Sequence, residues 1–422
     1  MKYKSRISDR ILKDKLETMG AVLIEGAKLT GKTTSASQFA ASSILLNDPD
    51  SDYLSLAKIK PGAILKGDTP LLIDEWQLEP RLWDAVRFEV DRRSKVGQFI
   101  FTGSATPIDQ NKIFHSGIGR ISRMMMRPMS LYESGDSSGE ISLGTLFNSV
   151  VDIYAERGAD IEELTYLICR GGWPSSLVLK KEKALNVANE YVAGLIETDL
   201  KKAIGHKFNK DKMSRLLKSY SRNIGTQIKL EEINKDVLAS DGISTFGITT
   251  LYTYINALKD AYIIEDASAW NANLRSKTVI RRTPTRYFVD PSIAVASLAI
   301  GPKDLENDIK TLGFFFENLV IRDLRVYADS IDGNVYHYLD NTNLECDAII
   351  HLRNGKYGLI EIKLGGTENI EKGAYILNRL EKKIDTEKMN KPSFKMVIIG
   401  IGKFAYQRDD GVFVVPITSL KN

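Results

Sequence analysis

The octapeptide Gly26-Ala27-Lys28-Leu29-Thr30-Gly31-Lys32-Thr33 constrains this chain more than any other stretch. It has the spacing GxxxxGK[ST]. It follows the apolar run Ala21-Val22-Leu23-Ile24 and precedes a helical pattern over about 33 to 43, so it reads as strand, loop, helix. A glycine-spaced turn in that context lets successive backbone N–H groups wrap an anion, and the helix N-terminus adds the positive end of its dipole. The pattern predicts a phosphate cradle of Gly26, Ala27, Lys28, Leu29, Thr30, Gly31, Lys32, Thr33 and Thr34, with Lys32 on the β- and γ-phosphates and Thr33 on Mg²⁺.

Two further apolar strands are expected at 70–74 and 98–102, separated by a helix over 81–94 whose Leu82, Val86 and Val90 recur at spacing four. Strands alternating with helices argue for a parallel sheet covered on both faces. The first of these strands ends in Asp74-Glu75. Asp74 is placed to hold the magnesium and Glu75 to act as general base on the attacking water. The next ends in Thr102-Gly103-Ser104, level with Asp74, where Thr102 or Ser104 could orient the water; an ordinary strand-ending turn is the alternative. Arg120, Arg123 and Arg127 follow. Arg120 is the candidate to reach the γ-phosphate of a second copy, which would make the chain a homo-oligomer, and a solvated basic loop is the competing reading.

A chain of 422 residues exceeds the roughly 250 to 300 at which a single core stops growing, so two or three domains are expected. The basic start, Met1 to Arg6, is followed by charges where an export signal needs an apolar segment, and no run of about 18 apolar residues occurs. A cytoplasmic protein is therefore expected. Cys169 and Cys346 lack metal-ligand spacing, as do the four histidines, which predicts reduced thiols and no zinc. A net charge of +4 permits nucleic-acid contacts without requiring them.

The small, polar stretch Ser134 to Glu140 reads as a linker closing a first domain, 1–135. A mostly helical second region, 142–295, contains a winged-helix pattern over about 213–290. Its helices are expected at 213–221 and 230–238, with turns at Gly242 and Gly247. A Thr249-capped helix follows, striped by Leu251, Ile255, Leu258 and Tyr262. That helix shows Thr250, Thr253, Asn256 and Lys259 outward, and the wing carries Arg275, Lys277, Arg281, Arg282 and Arg286. Such a module could contact DNA phosphates or pack against the first domain. The third region, 305–422, reads as a compact α/β domain. A helix is expected at 312–328, strands at 334–339, 345–351, 356–364 and 395–401, and a helix at 368–384.

On the strand at 356–364, Glu361 and Lys363 share one face because side chains alternate; Asp347 lies on the preceding strand and Glu317 on the helix before it. Carboxylates so grouped can gather a hard divalent cation, Mg²⁺ or Mn²⁺, with Asp347 and Glu361 as ligands. A fold retained without its chemistry, or coincidence, would give the same residues. Trp173 with Pro174, and Phe314 to Phe316, read as core.

The chain resembles the prokaryotic AAA-type ATPases whose C-terminal half is a domain of unknown function containing a winged helix and a restriction-endonuclease-like fold. The resemblance rests on Gly26 to Thr33, Ile73 to Gln77, Gln98 to Ser104, Gly119-Arg120 and Arg127 to Glu133. It continues in Gly171 to Pro174, Tyr287 to Asp290, Phe316 to Asn318 and Glu361 to Lys363. It implies ATP binding and an α/β architecture of three parts: an N-terminal P-loop parallel-sheet ATPase domain, a helical and winged-helix middle, and a C-terminal restriction-endonuclease-like domain. The set Glu317, Asp347, Glu361 and Lys363 is similar to the PD-(D/E)xK nuclease arrangement, which implies carboxylates gathering Mg²⁺ and Lys363 steadying the attacking water or the developing charge. The expected function is an Mg²⁺-dependent ATPase associated with DNA, with a nuclease-like C-terminal site. The alternative is a nucleotide-dependent switch that acts through a protein partner and cuts nothing.

Overall fold

The apolar run at the start of the phosphate loop forms β1 (Ala21–Glu25), the second-to-last strand of a five-stranded parallel sheet. The computed structural model describes residues 3–103, 114–149, 152–205, 208–237, 246–270, 283–385, 387 and 389–422. They fall into two units. One runs to Pro128 and includes Leu258–Tyr262; the other comprises Met129–Ala257 and Ile263–Asn422.

In the first unit the sheet order is β2-β3-β4-β1-β5, from β2 (Ser42–Leu45), β3 (Leu71–Asp74), β4 (Phe99–Gly103) and β5 (Ile121–Met125). All four pairings are parallel, so the C-terminal ends of the strands lie along one edge. Alternation divides β1, β3, β4 and β5 between two cores. Val22, Ile24, Leu72 and Ile100 pack with Leu12 and Leu16 of α1 (Ile7–Leu16) and Ala36 of α2 (Lys32–Ser37). Ala21, Leu23, Ile73 and Phe101 pack on the other face with Leu82, Trp83 and Val86 of α4 (Leu82–Arg93); α3 (Tyr53–Ile59) adds Ala57 to that side.

Two strands of this sheet escape the sequence pattern. The helix expected over 33–43 stops at Ser37, and Ser42–Leu45 is the edge strand β2 with only Ile44 buried. A single buried residue leaves too little period to separate strand from helix. Strand β5 carries Arg123 amid its apolar residues and reads in sequence as a basic loop.

The second unit opens with α5 (Leu131–Ser134), β6 (Ile141–Ser142) and α6 (Leu143–Asn148). The supposed linker is packed: Ser137 Oγ donates to the Leu420 carbonyl at 2.7 Å, and Asp136 pairs with Arg170 at 2.6 Å. Next come α7 (Ile161–Arg170), α8 (Lys181–Ala184), α9 (Asn186–Gly194) and α10 (Leu200–Ile204). The helices expected of a winged helix are α11 (Lys210–Arg222), α12 (Leu230–Val237) and α13 (Ile248–Asp260), the last shared between the units. Thr249 lies inside α13 rather than capping it. Among the described residues, the expected wing consists of single bridges, Ile264 to Phe288 and Ala267 to Thr285. Gly242, Arg275, Lys277, Arg281 and Arg282 lie outside the described residues.

After α14 (Pro291–Leu298) and α15 (Pro302–Asn307), the long α16 (Ile309–Asp329) leads into β7 (Gly333–Leu339), β8 (Glu345–Leu352) and β9 (Tyr357–Lys363). Then come α17 (Thr367–Lys383), β10 (Phe394–Ile399), β11 (Tyr406–Gln407), β12 (Phe413–Pro416) and β13 (Leu420–Lys421), which pairs with β6. The main sheet has the order β11-β12-β10-β9-β8-β7, antiparallel from β7 to β9 and parallel from β9 to β12. Cys169 and Cys346 are free and buried.

Candidate functional site

Where β1 ends, the backbone of Gly26 passes so close to β5 that a Cβ would lie 2.2 Å from the Met126 carbonyl oxygen, and its φ is +145°. Only glycine fits there. The chain then turns through exposed Lys28 and Leu29 to Gly31, left-handed at φ +92°, from which α2 starts. The loop closes on its own lysine. Lys32 Nζ donates to the carbonyls of Gly26 at 2.9 Å and Ala27 at 2.8 Å. Burial pulls the Lys32 ammonium down to about 8, against the opposing charges of Glu75 and Asp74.

Sheet register assembles the rest. Asp74 on β3 is the direct neighbour of Thr102 on β4, and Ile24 on β1 flanks Thr102 on the other side. Thr33 Oγ1 donates to Asp74 Oδ1 at 2.7 Å, and Thr102 Oγ1 donates to the same oxygen. Asp74 is buried and Thr102 fully so. The residue after the strand, Glu75, is left-handed at φ +54°, a conformation that costs a non-glycine residue energy and recurs at functional positions. Its Oε2 accepts from Gln77 Nε2, while Gln77 Oε1 is buried without a partner.

Thr33, Asp74, Glu75 and Thr102 thus meet at the edge of the sheet beside Lys32, and Ser104 lies outside the described residues. Arg120 is elsewhere. It pairs with Asp91 at 2.8 Å, and its carbonyl binds the N–H of Ala21, at the end of β1 remote from the loop. Arg123 pairs with Glu25 at 2.8 Å and lies over the Trp83 ring. Gln77 lies in the stretch Ile73 to Gln77 that carries the resemblance, but neither its residue type nor its spacing gave it a role at the site.

In the second unit, Lys363 Nζ stands between two carboxylates, 2.9 Å from Asp347 Oδ2 and 2.6 Å from Glu361 Oε2. Asp347 Oδ2 also accepts the Ile362 N–H at 2.7 Å. Glu317 accepts the Tyr287 hydroxyl at 2.5 Å. Burial, then the Asp347 charge, raise the Glu361 carboxyl to about 8 and push Glu317 well above the usual carboxylate range. The two acids outweigh burial at Lys363 and hold its ammonium above its usual range. This cluster therefore holds more acid than its lysine neutralises. Even so, no group of three or more His, Cys, Asp or Glu side chains among the described residues is arranged to hold a metal ion.

Other marked residues are structural. Asp290 Oδ2 accepts the Gly172 N–H and Arg322 Nη1, both at 2.9 Å; Trp173 Nε1 donates to Ser292 Oγ at 2.9 Å; Asn318 makes two bonds to the Phe288 backbone. Trp173, Phe315 and Phe316 are core, whereas Phe314 is half-buried. Arg286, expected outward on the wing, is buried against Asp266 at 2.7 Å. Thr253, Asn256 and Lys259 are exposed on α13 and Thr250 is half-buried.

Comparison with known proteins agrees with the first unit. Residues 18–135 match the model described as AAA domain, residues 161–304 a domain of unknown function (DUF8612), and residues 312–420 another (DUF4143). Uncharacterized proteins of Mycobacterium bovis and Mycobacterium tuberculosis are each 24% identical over 365 residues, 86% of this chain and 74% of theirs. Among solved structures, the Walker-type ATPase of Pyrococcus abyssi has a TM-score of 0.43 at 16% identity, covering 69% of this chain and 94% of that one. The ORC2 protein of Aeropyrum pernix has a TM-score of 0.33 at 12% identity, covering 71% and 92%. These structural likenesses are too distant to add to the argument. The match over residues 18–135, the loop and the parallel sheet together support a P-loop domain of AAA type in the N-terminal part. No helix among the described residues is long and apolar enough to cross a membrane.

Proposed function

We propose that this chain binds ATP with Mg²⁺ at the loop Gly26 to Thr34 and hydrolyses it. The observation that carries the reading is the junction of Thr33 and Asp74, two hard oxygen donors 2.7 Å apart at the sheet edge beside a buried lysine. That donor set fits magnesium, which supplies charge neutralisation between the β- and γ-phosphates when bound. The chain's own residues do the rest. Lys32 exchanges its carbonyl partners for phosphate oxygens, Thr102 fixes the Asp74 carboxylate, and Glu75 takes a proton from the attacking water. Arg120 is the candidate to reach a second copy's nucleotide, in which case specific activity rises with protein concentration. The direct test is phosphate release from ATP and Mg²⁺. Wild type should turn over and Lys32→Ala should neither bind nor hydrolyse; equal ATP affinity of the two by calorimetry would reject the site.

A second reading concerns the C-terminal half. The order α16, β7, β8, β9, α17, β10 supports a restriction-endonuclease-like arrangement, with Asp347 on β8 and Glu361 and Lys363 on β9. On this reading ATP turnover is coupled to DNA, and the acid and lysine cluster is its contact or cleavage point once Lys363 moves off the carboxylates. Plasmid cleavage with Mg²⁺ or Mn²⁺, abolished by Lys363→Ala, would support it. Intact plasmid together with salt-independent DNA affinity would favour a switch acting through a protein partner.

A further inference from the structure

The segment preceding α1 reaches into the phosphate loop. Arg6 is buried, and its guanidinium spans two carbonyls from distant parts of the chain: Nη1 donates to Thr30 O at 2.7 Å and Nη2 to Arg127 O at 2.8 Å. Thr30 belongs to the loop after β1, and Arg127 follows β5. The Thr30 side chain is fixed as well, its hydroxyl donating to Ala27 O at 2.9 Å. Arg6 is itself held from behind, its backbone N–H donating to Asp9 Oδ2 at 2.7 Å. The Tyr3 hydroxyl lies 2.7 Å from each Asp9 oxygen and 2.8 Å from Ser35 Oγ on α2, the helix that begins at Lys32.

We infer that Arg6 is a positioning residue for the phosphate loop, holding the Thr30 carbonyl outward so that the Gly31 N–H is aimed into the cradle. The step follows from peptide planarity. In a trans peptide the carbonyl of one residue and the N–H of the next point in opposite directions, so a carbonyl clamped on one side fixes the donor on the other. The clamp is charge-assisted and buried, and such hydrogen bonds are stronger than neutral ones. Gly31 sits at φ +92°, where glycine has little torsional preference of its own and the peptide before it needs an external anchor. A lysine cannot substitute fully, because an ammonium is a point donor while the guanidinium fork reaches both carbonyls at once. Tyr3 and Asp9 extend the clamp to α2, so loop and helix are fixed from one segment.

This rests on the ATP reading, and the experiment separates the two. ATP and ADP affinity, KM, kcat and melting temperature would be measured on the full chain for wild type, Arg6→Met, Arg6→Lys, Tyr3→Phe and Leu12→Ala. Arg6→Met should weaken ATP and ADP alike by about ten-fold or more and raise KM similarly, with kcat little changed, because the lost donor serves ground and transition states equally. Arg6→Lys should fall between wild type and Arg6→Met. Leu12→Ala, which opens the core beneath α1, should lower the melting temperature and leave the affinity unchanged. If Arg6→Met does not fold, Tyr3→Phe carries the test through one hydroxyl, with an expected loss of about three-fold. Wild-type affinity in a folded Arg6→Met, or in Tyr3→Phe as its substitute, overturns the inference. So does an affinity loss in Leu12→Ala equal to that in Arg6→Met. If wild type binds no ATP, the ATP reading itself fails.

Discussion

The Thr33 hydroxyl lies 2.7 Å from Asp74 Oδ1 although 41 residues separate them in the chain. The junction exists because β1 and β3 both run toward the same sheet edge, so a hydroxyl at the start of α2 and a carboxylate at the end of β3 meet there. Asp74 and Glu75 are consecutive, yet their surroundings differ: Asp74 is buried with two hydroxyl donors, while Glu75 is left-handed and bound to Gln77. Asp74→Asn should lose the magnesium-dependent part of ATP affinity. Glu75→Gln should keep the affinity and slow turnover by about 100-fold or more. Calorimetry with and without Mg²⁺, beside single-turnover rates, checks this; two variants with the same profile would remove the division of roles.

Thr102→Val keeps the shape of the side chain and deletes its hydroxyl. Asp74 would then be short of one buried donor, which costs about 1 to 3 kcal/mol of stability. The carboxylate would also be free to rotate, so turnover should fall more than ATP affinity. Denaturant unfolding and steady-state kinetics on the same preparation are sufficient; unchanged stability would mean that the hydroxyl holds nothing.

Lys32 gives a pH prediction. Its ammonium is pulled down to about 8 by burial, so without nucleotide the folded chain binds fewer protons there than an ordinary lysine would. A triphosphate restores the charged form. Nucleotide binding should therefore take up a fraction of a proton at pH 8 and above, and affinity should decline as pH rises through that value. Binding enthalpies in two buffers of different ionisation heat report the uptake directly. The same linkage makes the nucleotide-free fold gain stability as pH rises from about 8 toward 10, because the unfolded lysine still holds its proton in that range. Identical enthalpies in both buffers would contradict the assignment.

Much of the first site was legible because its residues are fixed by short patterns. The glycine spacing needs the left-handed φ of Gly31, and the strand ending in Asp74 has no polar residue before its acid. What remained hidden depends on pairs distant in sequence. Arg6 bonds to Thr30 and Arg127, 24 and 121 residues away, and nothing in the run before α1 signals it. Arg286 read as a wing cation because its neighbours are basic, but Asp266 turns it inward, a partner that only the fold supplies. In the C-terminal half the elements from α16 to β10 were legible through their strand and helix periods, whereas the short β11, β12 and β13 were not. Alternation also grouped Lys363 with Asp347 and Glu361, but it left open whether the lysine or a cation lies between the two acids, since it gives the face of a side chain and not the direction of a long flexible one.

That lysine yields the last prediction. Asp347 and the buried Glu361 share Lys363 as their bridging cation, and Glu317 adds a third, strongly desolvated acid. Removing one partner of a buried ion pair leaves a charge unpaired and typically costs about 3 to 5 kcal/mol; Lys363→Ala should approach the lower end, because the site is partly open. Part of the loss would be relieved by protonation of Glu361, whose carboxyl already lies near 8, so the defect should be larger at pH 9 than at pH 7. The vacated space is lined by hard oxygen donors, which suit a divalent cation that displaces the carboxyl protons. Millimolar Mg²⁺ or Mn²⁺ should therefore raise the melting temperature of Lys363→Ala by mass action while affecting wild type less. Adding Asp347→Ala to that variant should abolish the rescue and so separate it from magnesium bound at the P-loop. A Lys363→Ala chain whose melting temperature ignores both metals would leave the lysine as a structural counter-ion and remove the support for a metal-dependent nuclease in this half of the molecule.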